Sequence, residues 1–423
     1  MIKDLKNLLF SLTAKNLYWV TAGNFSIVFT GFIFTVYVAR NLSPAEFGLF
    51  STISALTLIL SDLGELGIGG GLARFLPPLY QSKDESSANK IIKTTFLLQL
   101  FISILIGSIL IAFAKPIAGI LLHLDSLANL SLIRLSALGV VGFMMYNFIN
   151  NLIIAKEEFK KTFVILNLYS IPRLVLIFFI SLFLKLNTLI ILLIFFIGPI
   201  TAFFIGIRFT SLKFLKEQGI YSLKKILSFS LFLALNKLFV ALFSRLDIIM
   251  LTSLTSTYEG GLYSAAAKVA FLYPLIGGSL GTILGPKYSR LTISDALRFT
   301  KKVFLLVFLL VASLIAVMIL SPLIIRVVFG SAYVYSIPVL QILLLSTVPF
   351  LFAIPTNGLL TYTFKKPQIL SISSLIQLLI IFSFNLIFIP RFGRLGPAIS
   401  IGIAALVAMA ISFISVMYYL RKK

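Results

Sequence analysis

Cysteine is absent from the 423 residues, and histidine and tryptophan occur once each, as His123 and Trp19. Without cysteine there is no disulfide and no thiolate metal site, and one histidine cannot make a histidine cluster. Charge is also scarce. Asp, Glu, Lys and Arg together make up 12% of the chain, and the acids are the rarer sign, 13 against 36 bases. No Gly-rich phosphate loop, no His/Asp/Glu ligand spacing and no nucleophile beside a base is present, so the sequence predicts neither catalysis, nor a metal, nor a resident cofactor.

Apolar surface is what the chain has in excess. Hydrophobic residues make up 59% of it, and the mean hydropathy is +1.08. A water-soluble globule of this size could not hide so much, because much of any globule faces solvent. Apolar runs long enough to cross a hydrocarbon layer of roughly 30 Å recur near 17–38, 46–69, 92–114, 127–153, 163–184, 188–210, 226–254, 261–285, 299–320, 333–361, 369–389 and 396–420. The reading is an all-α polytopic membrane protein of about 12 transmembrane helices. Its first run has no small-residue cleavage site after it and reads as a retained helix.

The net charge of +23 would suggest nucleic acid in a soluble chain, but here the bases sit in the short links between apolar runs. They read as topology determinants that meet anionic membrane lipids, with no nucleic-acid partner. With the N-terminus inside, the inner links hold 25 Lys and Arg and the outer links 7, which places both termini in the cytoplasm. The links are too short for a separate catalytic domain. The sequence divides into an amphipathic lead-in at 1–16, a six-helix lobe at 17–211, a cytoplasmic linker at 212–225, a second six-helix lobe at 226–420 and a basic tail at 421–423.

An internal echo supports two lobes. Glu46-Phe47-Gly48-Leu49-Phe50-Ser51 follows the first run, and Glu259-Gly260-Gly261-Leu262-Tyr263-Ser264 follows the seventh, 213 residues later. Ala114-Lys115-Pro116 and Leu320-Ser321-Pro322 close the third run of each half, and Lys156 and Lys365 follow the fourth. Halves with six spans each start on the same side, so their relating axis runs along the membrane normal. That repeat symmetry is found in secondary transporters that work by alternating access.

The 25 inner and 7 outer bases leave four of the 36, all within predicted spans: Arg173, Lys237, Arg245 and Lys268. Each costs at least a few kcal/mol in lipid unless it faces a cavity or a partner (~2.5–3.5 kcal/mol on insertion scales). Ser230, Lys237 and Ser244 recur every seven residues and form a polar stripe. Lys237, Arg245, Arg173, Lys268 and Ser244 are therefore candidate substrate or translocation residues, the alternative being structural pairing. Asp62, Glu65 and Asp247 are the candidates for gating or charge pairing, with Asp247–Lys268 a plausible interhelical pair. Asp62 and Glu65 precede Gly67, Gly69, Gly70 and Gly71, a stretch that reads either as a flexible inner gate or as an ordinary helix end.

The runs Val38-Ala39-Arg40-Asn41-Leu42-Ser43-Pro44-Ala45-Glu46-Phe47-Gly48, Arg245-Leu246-Asp247-Ile248-Ile249-Met250 and Ser321-Pro322-Leu323-Ile324-Ile325-Arg326-Val327-Val328-Phe329-Gly330 resemble the polysaccharide biosynthesis, or Wzx-type, family. Asn385-Leu386-Ile387-Phe388-Ile389-Pro390-Arg391-Phe392-Gly393 extends the resemblance to the end of the chain. It implies a fold like that of the multidrug and toxin extrusion (MATE) transporters. It also implies flipping of a polyprenyl-pyrophosphate-linked oligosaccharide across the plasma membrane by alternating access through a basic inter-lobe cavity, with Lys237, Arg245 and Arg173 holding the pyrophosphate. Further implications are an ion gradient or membrane potential as driving force, glycosyltransferases or a polymerase of the same pathway as partners, and a monomeric transport unit. The other readings are an ion-coupled multidrug/cation antiporter of the same fold and a noncatalytic subunit of a polysaccharide synthase complex.

Overall fold

The computed structural model describes residues 12–122, 127–210 and 212–422, and among these there are helices and turns but no strand. The lead-in bases Lys3 and Lys6, the loop residue His123 and the terminal Lys423 lie outside the described residues. The helices are α1 Leu12–Asn41, α2 Pro44–Gly64, α3 Ile68–Gln81, α4 Glu85–Ala112, α5 Ala114–Leu122, α6 Leu127–Ala155, α7 Phe159–Ser181 and α8 Thr188–Gly206. They continue as α9 Leu223–Leu254, α10 Thr257–Ala270, α11 Leu272–Arg290, α12 Ile293–Ile319, α13 Ser321–Val328, α14 Ile337–Gly358, α15 Gln368–Phe392 and α16 Gly396–Arg421.

Among the described residues nine segments are long and apolar enough to cross a membrane, and one of them, Gln368–Arg421, contains both α15 and α16. Phe101 and Ile319 stand 64% and 70% exposed on the surfaces of α4 and α12, and Phe183 71% exposed in the turn after α7. Apolar surface of that kind suits acyl chains and not water. The chain is a multi-pass membrane protein.

Side-chain caps set several helix starts. Asp84 accepts from Ser87 N at 3.0 Å before α4, and Asn187 accepts from Ile190 N at 2.9 Å before α8. Ser43 and Glu46 form a reciprocal capping box on α2, with Ser43 N donating to Glu46 Oε2 at 3.0 Å and Glu46 N donating to Ser43 Oγ at 3.3 Å. Ser256 accepts from Glu259 N in the same way at 3.3 Å on α10. The Ser-x-x-Glu spacing shared by the two echoes is thus a helix-start signal.

Two expected spans are interrupted. The run at 46–69 breaks where Leu66 and Gly67 take φ of 48° and 69°, and the chain restarts as α3. The run at 261–285 divides between α10 and α11 at Phe271.

The chain forms two compact units, Met1–Leu42 with Ile53–Ala241, and Ser43–Thr52 with Leu242–Lys423. Helices α2 and α9 each contribute one end to each unit. In the first unit α1 packs on α7, α6 packs on both α4 and α8, and α3 packs on α6. Ile68, Leu72, Ile91, Phe148, Leu152 and Ile165 lie in its main core. In the second unit α16 packs between α14 and α15, and α10 and α12 pack on α14.

The two echo motifs meet within the second unit. A Cβ on Gly48 would fall 2.6 Å from Gly261 N, and one on Gly261 would fall 3.0 Å from Gly48 N and 2.7 Å from the Pro44 carbonyl carbon. Positions 213 apart therefore face each other, and only glycine lets the backbones of α2 and α10 come this close. Thr52 and Thr252 share a buried hydroxyl hydrogen bond of 2.7 Å beside the crossing.

Candidate functional site: charged side chains inside the bundles

The first site is built by the break after α2. Because Leu66 and Gly67 are left-handed, the chain turns, and Gly67 and Gly71 bring α3 directly against α9. A Cβ on Gly67 would fall 2.9 Å from Ala234 N, and one on Gly71 would fall 2.7 Å from Ser230 Oγ. Asp62 and Glu65, on the last turn of α2 and just past it, are thereby set against Lys237. That lysine lies two turns along α9 from Ser230 (seven residues at about 100° each).

Glu65 is 3% exposed. Its Oε1 accepts from Asn151 Nδ2 on α6 at 2.8 Å, and its Oε2 forms an ion pair with Lys237 Nζ. Asp62 Oδ1 stands 3.9 Å from the same nitrogen. Gly69 keeps this route open, since a Cβ there would fall 2.7 Å from Glu65 Oε1 and 2.7 Å from Asn151 Cγ. Gln99, fully buried on α4, uses its amide to donate to Gly64 O at 3.3 Å. The glycine stretch serves close approach, and Glu65 is buried inside the first unit.

A second buried charge lies in the same unit. Arg173 on α7 is 4% exposed. Its guanidinium carbon lies 4.3 Å from the ring centre of Tyr169, 5.3 Å from that of Phe34 on α1 and 5.5 Å from that of Phe195 on α8. Nη1 donates to Tyr169 Oη at 2.8 Å. Nε is buried with no acceptor. Among the described residues no carboxylate forms an ion pair with it. Contacts with ring faces stabilise a cation by about 0.5–2 kcal/mol each, but they leave its charge uncancelled.

The remaining sequence candidates fall in the second unit. Asp247 is buried and accepts from Ile248 N at 2.8 Å and from Tyr263 Oη on α10. Tyr263, and not Lys268, is its partner. Five residues separate the two on α10, which puts them about 140° apart around the helix, and Lys268 is exposed. Arg245 is half-buried and Ser244 exposed. Lys237 and Arg173 thus belong to the first unit, and Ser244, Arg245, Asp247 and Lys268 to the second.

Three residues escaped the sequence reading. Asn151 was one of several asparagines with no distinguishing spacing. Tyr263 could have been found, since it lies in the echo motif at the phenyl position of Phe50 and differs by a hydroxyl. Glu259 leaves its capping role and pairs with Arg394, Oε1 to Nη1 at 2.6 Å and Oε2 to the backbone N at 3.1 Å. Nothing local in the sequence signals that contact 135 residues away.

A solved structure titled as the inward-facing conformation of a multidrug resistance MATE family transporter of the MOP superfamily is similar over 94% of this chain and 95% of its own, with 15% identity and a TM-score of 0.77. The lipid II flippase MurJ in an inward closed conformation is similar over 95% of this chain and 87% of its own, with 17% identity and a TM-score of 0.71. A MOP superfamily transporter from Pyrococcus furiosus, described as having a binding pocket of reverse polarity, covers 99% and 98%, with 16% identity and a TM-score of 0.64. At these identities the likeness is one of fold, and the fold is MATE-like. No curated protein sequence matches the chain. The family described as "Polysaccharide biosynthesis protein" matches residues 13–292, well over half of the chain. The chain belongs to the polysaccharide biosynthesis protein family.

Proposed function

We propose that this protein moves a polyprenyl-diphosphate-linked oligosaccharide from the inner to the outer leaflet of the cytoplasmic membrane, with both termini in the cytoplasm and no catalytic step. The observation that carries this reading is Arg173, a buried guanidinium with an unmatched Nε and no carboxylate counter-charge among the described residues. A fixed positive charge inside a membrane bundle favours an anionic cargo over a cationic one. Membership of the polysaccharide biosynthesis family supports a glycan on that cargo, and the likeness to a lipid II flippase supports a lipid carrier. Transfer into the outer leaflet would draw on an ion gradient or the membrane potential. Glycosyltransferases would supply the substrate and a polymerase would consume it.

A cation antiporter is the reading favoured by Asp62 and Glu65, two carboxylates inside the first unit beside Lys237. Proteoliposomes separate the two. They would carry a fluorescent diphosphate-linked disaccharide on a short polyprenyl chain, and native protein would be compared with Arg173→Gln after a folding check. The proposal expects flipping by the native protein and a loss of tenfold or more in the variant. Equal rates would remove Arg173 from the mechanism. Cationic dye transport with no glycolipid flipping would establish the antiporter.

A further inference from the structure

The end of α3 and the α6–α7 turn enclose a cleft of about 430 Å³ in the first unit, a volume typical of small-molecule sites. Both walls finish in the same kind of turn. After α3, Lys83 N donates to Tyr80 O at 3.2 Å and Asp84 N to Leu79 O at 2.9 Å. After α6, Glu157 N donates to Ile154 O at 2.9 Å and Glu158 N to Ile153 O at 3.2 Å. The left-handed residue of such a turn is usually glycine, but here it is Lys83 at φ 59° and Glu157 at φ 59°. A side chain there carries a steric cost that glycine does not. What the chain keeps by it, after α6, is a carboxylate on the lip of the cleft.

The polar groups of the cleft have capacity to spare. Glu158 Oε1 pairs with Lys161 Nζ at 2.8 Å, while its Oε2 is buried and accepts no hydrogen bond. A turn about the soft terminal torsion of the side chain presents that oxygen to the cleft. Lys156 is half-buried beside Tyr80, with Nζ 5.9 Å from the ring centre, and among the described residues no carboxylate forms an ion pair with it. Gln81, exposed on the last turn of α3, adds an amide that both donates and accepts. The charges balance, Lys156 and Lys161 against Glu157 and Glu158. A phosphate or carboxylate ligand would meet the two glutamates, and a cation would meet Lys156. A neutral ligand whose groups both donate and accept meets neither repulsion. Hydroxyls do this, and Tyr80 and Pro77 supply apolar surface for the C–H face of a sugar ring.

We infer that this cleft binds a neutral sugar: Glu157 and Glu158 accept from its hydroxyls, Lys156 donates to one, and Tyr80 lies against its apolar face. The inference deepens the function proposed above and rests on it for the sugar's place, the glycan end of the cargo. On the charge asymmetry Lys83 and Lys156 belong to the inner links, the side from which that cargo enters. Arg173 lies about 20 Å further along α7, so the cleft selects the glycan and the guanidinium selects the charge.

The test is saturation-transfer NMR on the full chain, purified in a detergent whose headgroup is not a sugar. The probes are glucose, galactose, N-acetylglucosamine and N-acetylgalactosamine, with cellobiose, lactose and chitobiose as disaccharides. At least one is expected to bind, with a titrated affinity that falls tenfold or more in Glu158→Gln and in Tyr80→Ala. Glu157→Gly relieves the left-handed conformation, so it should raise the unfolding midpoint while weakening sugar binding several-fold. A turn with only a structural role would gain that stability with binding unchanged. Binding kept by all three folded variants places the sugar elsewhere and overturns the site. No transfer to any sugar, or binding of orthophosphate or glycine betaine in place of the sugars, overturns it as well. The flipping assay above, run in parallel, separates the two readings. Flipping without sugar binding removes the cleft and leaves the cargo standing, whereas sugar binding without flipping leaves the cleft and removes the cargo.

Discussion

Replacing Gly261 or Gly48 by alanine inserts a methyl group into the tightest helix crossing in the second unit. The new Cβ of Gly48→Ala would lie 2.6 Å from Gly261 N, and that of Gly261→Ala 2.7 Å from the Pro44 carbonyl carbon. The carbonyl oxygens of Thr257 and Pro44 lie closer still to the two methyl positions, and comfortable contact is about 3.5 Å, so α2 and α10 must part by well over ~1 Å. Overpacking of this kind costs about 1–3 kcal/mol. The Thr52–Thr252 hydrogen bond stretches with it, which costs about 1 kcal/mol more for buried hydroxyls. Alanine returns roughly 1 kcal/mol of helix propensity, leaving a net loss of about 1–3 kcal/mol for each single substitution. The two clashes point at each other across one crossing, so one separation of the helices relieves both. The double variant is therefore expected to cost little more than either single one, with a coupling of about 2 kcal/mol in a double-mutant cycle. Unfolding midpoints followed by circular dichroism in mild detergent measure this. Losses that simply add, or single losses below about 0.5 kcal/mol, would refute the shared-crossing argument.

Lys237→Met leaves Glu65 buried without its cation and is expected to lower stability by about 2–4 kcal/mol. Glu65→Gln in the same chain should recover most of that, and a double variant no more stable than Lys237→Met would show that the pair does not act as one. Tyr263→Phe removes the hydroxyl donated to Asp247 and should cost about 1–3 kcal/mol through an under-satisfied buried carboxylate. Lys268→Met should cost far less, and a larger loss there would restore the pairing read from the sequence. Lys156, in the α6–α7 turn with its ammonium 5.9 Å from the ring centre of Tyr80, is held below the usual lysine range by burial. The folded form then binds fewer protons than the unfolded chain between that lowered value and 10.5. The penalty is fully present below this window, and Lys156 makes stability rise with pH through it. The difference in unfolding midpoint between native protein and Lys156→Gln, followed from pH 7 to 10.5, should shrink as pH rises.

The fold was legible because lipid imposes a simple demand, long apolar runs with charges at their ends, and α6, α7, α8, α12 and α16 fall where hydropathy put them. The interruptions were less visible. Gly67 marks a break in hindsight, but Leu66 at φ 48° does not, since leucine carries no signal for a left-handed conformation. The split at Phe271 is marked only by Pro274, in the first turn of α11, whose ring nitrogen cannot donate back across the break. At the site, spacing along one helix was enough to single out Lys237 and Ser244. It could not say that Glu65, 172 residues earlier, would be the partner. That pairing is made by the turn at Gly67 and by three bare glycine positions against α6 and α9, a packing fact that the sequence contains only as an unexplained glycine cluster. The Asp247–Lys268 expectation used the right helices and the wrong face.

The charge census of the whole chain also misleads at the scale where chemistry occurs. Four bases among the apolar runs suggest one uniformly positive interior, yet Lys237 faces Asp62 and Glu65, and among the described residues no carboxylate forms an ion pair with Arg173. The two places in the first unit should therefore respond differently to loss of their charge. Lys237→Met strands a buried carboxylate, whereas Arg173→Gln gives up ring contacts of about 0.5–2 kcal/mol each and also removes the cost of burying a cation with no ion pair among the described residues. Arg173→Gln should therefore shift the unfolding midpoint less than Lys237→Met does, while it lowers affinity for a diphosphate headgroup. If Arg173→Gln costs as much stability as Lys237→Met and leaves headgroup affinity unchanged, the guanidinium serves packing and not cargo.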